Sequence, residues 1–158
     1  MLLDSASLWY RAYYGMPDTL LAPDGTPVNA IRGYLDMTAR LIGMYSPKRI
    51  VACIEGDWRP SWRVELFPDY KANRSATPDE FRSQTSFLYE LVSGFGIRHF
   101  AVEGFEADDI IATLAKRAES EGFEVLICTG DRDSFQLINE TTTVLYPKRG
   151  VTDLARMT

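Results

Sequence analysis

At 158 residues, with 46% hydrophobic and 25% charged residues, the chain has the composition of one packed domain rather than of a disordered segment. A formal net charge of −5 excludes a general basic excess, so any affinity for nucleic acid must come from local charge. No uninterrupted apolar run approaches the roughly 18 residues of a membrane helix, and the opening MLLDSASLWYR, with Asp4 and no basic n-region, does not read as a secretory signal.

Taken in chain order, Met1–Asp4 reads as a first strand. Ile31, Tyr34, Leu35, Leu41, Ile42 and Tyr45 fall near helical spacing, and Arg49–Ile54 supplies a second strand with β-branched Val51 and Ile54. Residues 57–79, DWRPSWRVELFPDYKANRSATPD, are too polar and too punctuated by proline for core. They predict a loop with a short helix standing above a sheet. Leu88, Leu91, Val92 and Phe95 mark another helix, Arg98–Val102 a third strand, and Ile111, Leu114, Ala115 and Ala118 a further helix. Glu124–Cys128 and Thr143–Tyr146 are strands four and five, and the closing VTDLARMT reads as a helix just beginning with Thr152 as its cap. Strands alternating with helices predict an α/β fold with a mostly parallel central sheet and helices on both faces. Cys53 and Cys128 lie in apolar strands without a C-x-x-C pair, which predicts buried free thiols and a reducing cytoplasm.

In such a sheet, ligands collect at the carboxyl ends of the strands. Acids arrive there from four segments: Asp4 ends the first strand, Glu55 and Asp57 follow the second, Glu106, Asp108 and Asp109 open the helix after the third, and Asp131 and Asp133 follow the fourth. Singly they have plain explanations, because first-turn acids complement a helix dipole and aspartates form turns. Together they repel: two carboxylates about 4 Å apart cost on the order of 4 kcal/mol at an effective dielectric near 20. Such a group splays into water, keeps some protons, or holds divalent cations. Oxygen-only donors suit Mg²⁺ or Mn²⁺, while the single histidine, His99, and the separate cysteines provide no zinc set.

Over the acids lie bases. Arg59, Arg63, Lys71 and Arg74 interleave with Trp58, Trp62, Phe67 and Tyr70, a mixture in which cations hold phosphates and rings stack on bases, although a solvated loop with folded-under aromatics has the same composition. No Ser–His–Asp arrangement or glycine-rich phosphate loop is evident.

The runs LLDSASLWYRAYY, PVNAIRGY, PSWRVELFPDYKANR and GFEADDIIATLAKRAESEGFEVLICTGDRDSFQL resemble the 5′-nuclease family, which includes the N-terminal exonuclease domain of bacterial DNA polymerase I and stand-alone flap endonucleases. The resemblance covers nearly the whole chain and implies a PIN-like nuclease using two or more divalent ions, Mg²⁺ or Mn²⁺, on DNA with 5′ flaps or 5′ ends. By this likeness Asp4, Glu106, Asp108, Asp109, Asp131 and Asp133 are metal ligands. Lys71 and Arg74 are catalytic bases that meet the scissile phosphate diester, and Tyr70 and Arg63 join them in binding DNA. Residues 67–86 correspond to an arch or gateway for single strands. After the second strand the family carries an aspartate where this chain reads CIEGDW, so Glu55 or Asp57 fills the role, with Glu55 aligning better.

The family's further aspartate pair and helix-hairpin-helix clamp have no counterpart in these residues. The expectation is therefore a truncated or isolated domain with an incomplete second metal site, a monomer in the cytoplasm. Two alternatives stay open: a DNA-binding or regulatory module with little catalysis, and a magnesium-dependent phosphohydrolase.

Overall fold

A computed structural model describes residues 1–148 and 153–158. Its strands are β1 (Leu2–Asp4), β2 (Val51–Cys53), β3 (Arg98–Phe100), β4 (Val125–Cys128), β5 (Thr142–Pro147) and β6 (Leu154–Met157). They form one six-stranded sheet in the order β3-β2-β1-β4-β5-β6. All neighbours pair in parallel except β5 and β6.

Alternation along these short strands sends side chains to both faces, which is why they read as continuous apolar runs. Leu3, Ala52, Ile54, Cys128 and Leu145 pack on one side against helices α1 (Ser5–Gly15), α2 (Asn29–Tyr45) and, further along the chain, the helix Leu88–Gly94. Trp9 and Tyr34 meet edge to face there, with ring centroids 5.3 Å apart. On the other side Leu2, Cys53, Val125, Ile127 and Val144 pack against Ile110, Ile111 and Ala115 of the helix Ala107–Ser120. Both cysteines are buried and free, and burial pushes each thiol up to about 12, which leaves them as small apolar core groups.

Two short helices, α3 (Ser61–Leu66) and α4 (Asp79–Thr85), interrupt the segment after β2; the helix Leu88–Gly94 is then α5 and Ala107–Ser120 is α6. Within the span 67–86, Tyr70 and Lys71 reach Glu106, residues 72–77 are exposed, and α4 is packed on the body. Gln84 of α4 is fully buried, its Oε1 accepting from the Ala30 backbone N–H at 2.9 Å and its Nε2 donating to Asn29 at 2.9 Å, while Trp9 Nε1 donates to Thr85 at 3.1 Å.

The helix expected at the C-terminal residues is a strand. Leu154, Ala155, Arg156 and Met157 favour helix locally, but Leu154–Met157 pairs antiparallel with β5, Val144 opposite Met157 and Pro147 opposite Leu154. The open backbone edge of β5 overrides local propensity, because its N–H and C=O groups need partners. Thr152 lies outside the described residues. Among those residues no helix is long and apolar enough to cross a membrane.

Strand order reverses between β1 and β4: from β1 the chain builds outward through β2 and β3, then returns across to β4 and β5. The crevice above the carboxyl ends of β1 and β4 is therefore the expected ligand position in a doubly wound sheet.

Candidate metal and phosphate site at the carboxyl edge of the sheet

Asp4 stands at that crevice, 3% exposed and serving as the N-cap of α1. Its Oδ1 accepts from the Ser7 backbone N–H at 3.0 Å and its Oδ2 from the Thr129 hydroxyl at 2.5 Å. The same hydroxyl accepts from the Asp131 backbone N–H at 2.9 Å, so one threonine ties the end of β1 to the turn after β4. Burial raises the Asp4 carboxyl above its ordinary range; the Thr129 and Ser7 hydrogen bonds oppose this, and Asp131 adds a small upward push.

Glu55 reaches the same rim through a close backbone crossing. A Cβ on Gly56 would lie 2.0 Å from the Val102 carbonyl oxygen, so glycine lets the loop after β2 press against residues 102–105. Glu55 Oε2 there accepts a long 3.4 Å bond from the Ala107 N–H. Burial raises Glu55 to about 7, with Lys71 opposing and Glu106 and Asp4 adding to the rise. Asp57, the alternative after β2, turns away: its Oδ1 accepts from the Arg59 N–H at 3.0 Å in a local turn.

The first turn of α6 splits its acids. Asp108 is raised to about 7 by loss of solvent around its carboxyl and then by Asp4, Asp131, Glu55 and Glu106. The residue as a whole remains exposed, so water at its tip moderates that effect. Asp109 closes a capping box, accepting from the Glu106 N–H at 3.0 Å, and receives both guanidinium nitrogens of Arg63 at 2.7 and 3.0 Å. Glu106, 3% exposed, accepts from Arg63, Lys71 and the Tyr70 hydroxyl. Asp131 caps the 3₁₀ helix Arg132–Leu137 by accepting from the Asp133 N–H at 2.9 Å, and Asp133 itself is exposed.

Arg63 also lies 4.6 Å from the Trp62 ring centroid and 5.7 Å from that of Tyr70. Lys71 has φ of 53°, a left-handed conformation uncommon outside glycine, and its Nζ donates to the Trp58 carbonyl at 2.9 Å. Arg59 is a structural clamp, donating to the carbonyls of Tyr70 at 2.7 Å and Pro68 at 3.0 Å. Arg74 is exposed beyond them, close enough for its charge to act on the Tyr70 hydroxyl. His99 is on edge strand β3 with its ring 5.1 Å from Tyr89, away from the acids.

The rim thus brings Asp4, Glu55, Asp108 and Asp131 into mutual electrostatic contact, while Glu106 and Asp109 face bases and Asp133 faces solvent. The donor set is all carboxylate, which fits Mg²⁺ or Mn²⁺ in chemistry. Among the described residues no group of three or more His, Cys, Asp or Glu side chains is arranged to hold an ion as the side chains stand. An ion would have to draw Glu55, Asp108 and Asp131 together over Asp4. The sequence motifs did not single out Ser7 and Thr129, which lock Asp4, although Thr129 directly precedes the aspartates of TGDRD.

A doubly wound sheet with acids at its switch point, flanked by bases and aromatics, defines a resolvase-like α/β domain with an acidic centre. The chain belongs to the family described as 5′-3′ exonuclease, N-terminal resolvase-like domain, whose model matches residues 1–158. It is 47% identical to a 5′-3′ exonuclease of Streptomyces coelicolor over 96% of this chain and 54% of that protein. With DNA polymerase I of Mycobacterium bovis the identity is 45%, over 100% of this chain and 18% of that protein. The chain spans about half the length of the first relative and under a fifth of the second. Among solved structures, the bacteriophage T5 D15 flap endonuclease in a pseudo-enzyme-product complex with DNA and metal ions shares the fold. The TM-score is 0.67 at 16% identity, over 99% of this chain and 56% of that chain.

Proposed function

We propose that this chain is the metal-dependent catalytic part of a 5′→3′ exonuclease or flap endonuclease that hydrolyses DNA phosphodiesters at 5′ flaps or 5′ ends. One observation carries the proposal: four chain segments deliver Asp4, Glu55, Asp108 and Asp131 to the switch point of the sheet, beneath a segment that brings Arg63, Tyr70 and Lys71 to the same rim. The likeness to a Streptomyces 5′-3′ exonuclease, and to a T5 fold crystallised with DNA and metal ions, supports it.

In this reading Asp4, Glu55, Asp108 and Asp131 would hold Mg²⁺ or Mn²⁺, two or more ions in all, with Glu106, Asp109 and Asp133 as further ligands. Glu55 is preferred over Asp57 because only Glu55 is turned towards the other acids. Bound cations supply an activated water and stabilisation of the leaving 3′ oxygen. The protein's own groups do the rest. Ser7 and Thr129 fix both Asp4 oxygens, so this ligand is positioned before substrate arrives. Lys71 and Arg74 neutralise charge developing on the scissile phosphate, Arg63 assists on phosphate, and Tyr70 offers a ring against a base. Glu106 holds Lys71 until a phosphate competes for its ammonium. Such a nuclease would act as a monomer in the cytoplasm on intermediates of replication and repair.

The test is a 5′-labelled flap duplex incubated with this chain and Mn²⁺. The expected result is short labelled products that disappear with chelator and with Asp108→Asn. Retained flap binding without any cleavage would overturn the nuclease reading in favour of a DNA-binding module.

A further inference from the structure

A second pair of bases lies on the opposite flank of the acid rim, at β4 and β5. Arg11 of α1 is pressed over the turn that follows β4: a Cβ on Gly130 would lie 2.2 Å from Arg11 Nε and 2.9 Å from Ser7 Oγ, so with any other residue there the Arg11 side chain would have to shift. The Gly130 N–H donates to Ser7 Oγ at 2.9 Å, which fastens α1 to the turn. Arg11 thereby brings its guanidinium carbon to 5.5 Å from the ring centroid of Tyr146, near the end of β5. Arg132, from the 3₁₀ helix, reaches the same ring at 5.9 Å, and Phe135 packs edge to face on Tyr146 at 5.7 Å. Two cations thus share one aromatic ring. Among the described residues no carboxylate forms an ion pair with either guanidinium. Two like charges gathered at one ring, next to Asp131 and without a bound acid, make a place that gains by taking an anion. A guanidinium fork matches the oxygens of a phosphate.

We infer that Arg11 and Arg132, assembled on Tyr146, form a second phosphate-binding site that holds the DNA backbone on the side of the acid rim away from Lys71 and Arg74. This rests on the nuclease reading for its ligand. With cationic contacts on both flanks, a strand crossing the acids is fixed at two points and a phosphodiester is held over the basin between them.

The experiment is anisotropy of a fluorescent 5′-flap duplex in Ca²⁺, titrated with salt between about 50 and 200 mM. Wild type, Arg11→Met, Arg132→Met and Gly130→Ala are compared. Each arginine variant should weaken binding several-fold and lower the slope of log K against log salt by about 1, the double variant by about 2. Gly130→Ala keeps both charges but pushes Arg11 from its present place against the turn, and should weaken binding in the same direction as Arg11→Met but by less. Free inorganic phosphate should not displace the duplex at concentrations that leave the salt slope unchanged; if it does, the site takes free phosphate and the DNA assignment is overturned. Unchanged affinity and slope in both arginine variants would overturn the inference while wild-type binding keeps the nuclease reading intact. A lower Tm with weaker binding but an unchanged slope would also overturn it, since that signature belongs to packing. Absence of duplex binding by the wild type would overturn both.

Discussion

The two flanks of the acid rim carry the same kinds of side chain in opposite states. On the β2 side, Arg63 and Lys71 are already answered by Asp109 and Glu106, so that flank is close to neutral and a phosphate must compete for its bases. On the β4–β5 side, Arg11 and Arg132 both lie within 6 Å of the Tyr146 ring centroid, at 5.5 and 5.9 Å, and among the described residues neither has an ion-paired acid. The difference separates two jobs. On the proposed reading, bases held by the rim's acids would be released as charge develops, whereas bases without an ion-paired acid would hold a backbone phosphate throughout.

The largest expected effect comes from the acids between the flanks. Asp108→Asn or Asp131→Asn should lower metal-dependent flap cleavage by well over the roughly 100-fold upper range seen for outer-sphere partners of a metal. Product formation under single-turnover conditions measures it, and a loss under tenfold would move the metal site elsewhere. Next is Lys71→Ala, which on the paired flank should reduce kcat by about 100-fold with KM little changed, as for loss of a group that acts on developing charge. A rise in KM alone would make Lys71 a backbone contact like those proposed for the opposite flank.

Stability separates neighbours within one helical turn. Asp109→Asn removes the fork that holds Arg63, and should cost about 1–3 kcal/mol, as expected for a hydrogen-bonded charged pair. Asp108→Asn should leave the metal-free Tm unchanged or raise it, because a repelled charge is removed. Thermal melts without metal compare the two, and equal losses would contradict the division between a paired and a strained acid.

The smallest effect is on pH. Glu55 and Asp108 hold their protons to about 7 in the folded chain, well above the roughly 4 of a free carboxylate. The folded state therefore binds more protons than the unfolded one across that interval, and stability falls as pH rises from about 4 through 7. Metal-free protein should melt higher at pH 5 than at pH 7.5, and Mg²⁺ should narrow the gap. A melt that is higher at pH 7.5 would show that burial and the neighbouring acids do not hold these protons in the folded chain.

The sheet and the acid set were largely legible because both depend on local pattern. Short apolar runs mark parallel strands, and acids follow the runs, so Asp4, Glu55, Asp57, Glu106, Asp108, Asp109, Asp131 and Asp133 are all assigned to one edge, without a way to tell which face one another and which face bases, a local turn or solvent. What escaped depends on distant partners. LARM has helical preference, and only the free edge of β5 makes Leu154–Met157 a strand. Gln84 sits in a polar stretch of sequence yet is buried because it answers the N–H groups of Ala30 and Ile31 at the start of α2. The segment 57–79 shows its bases plainly, but not that Arg59 spends its donors on Pro68 and Tyr70 while Arg63 turns to Asp109. No helix is read from the sequence over Ser5–Gly15, and nothing local to Arg11 shows that the turn at Gly130 lies against it.

Crystals soaked in Mn²⁺, with anomalous difference maps calculated at the carboxyl edge, test the central claim most directly. The account predicts a peak among Asp4, Asp108 and Asp131, with Glu55 drawn inward. A saturating soak that leaves this crevice empty while the acids stay splayed into water would contradict it.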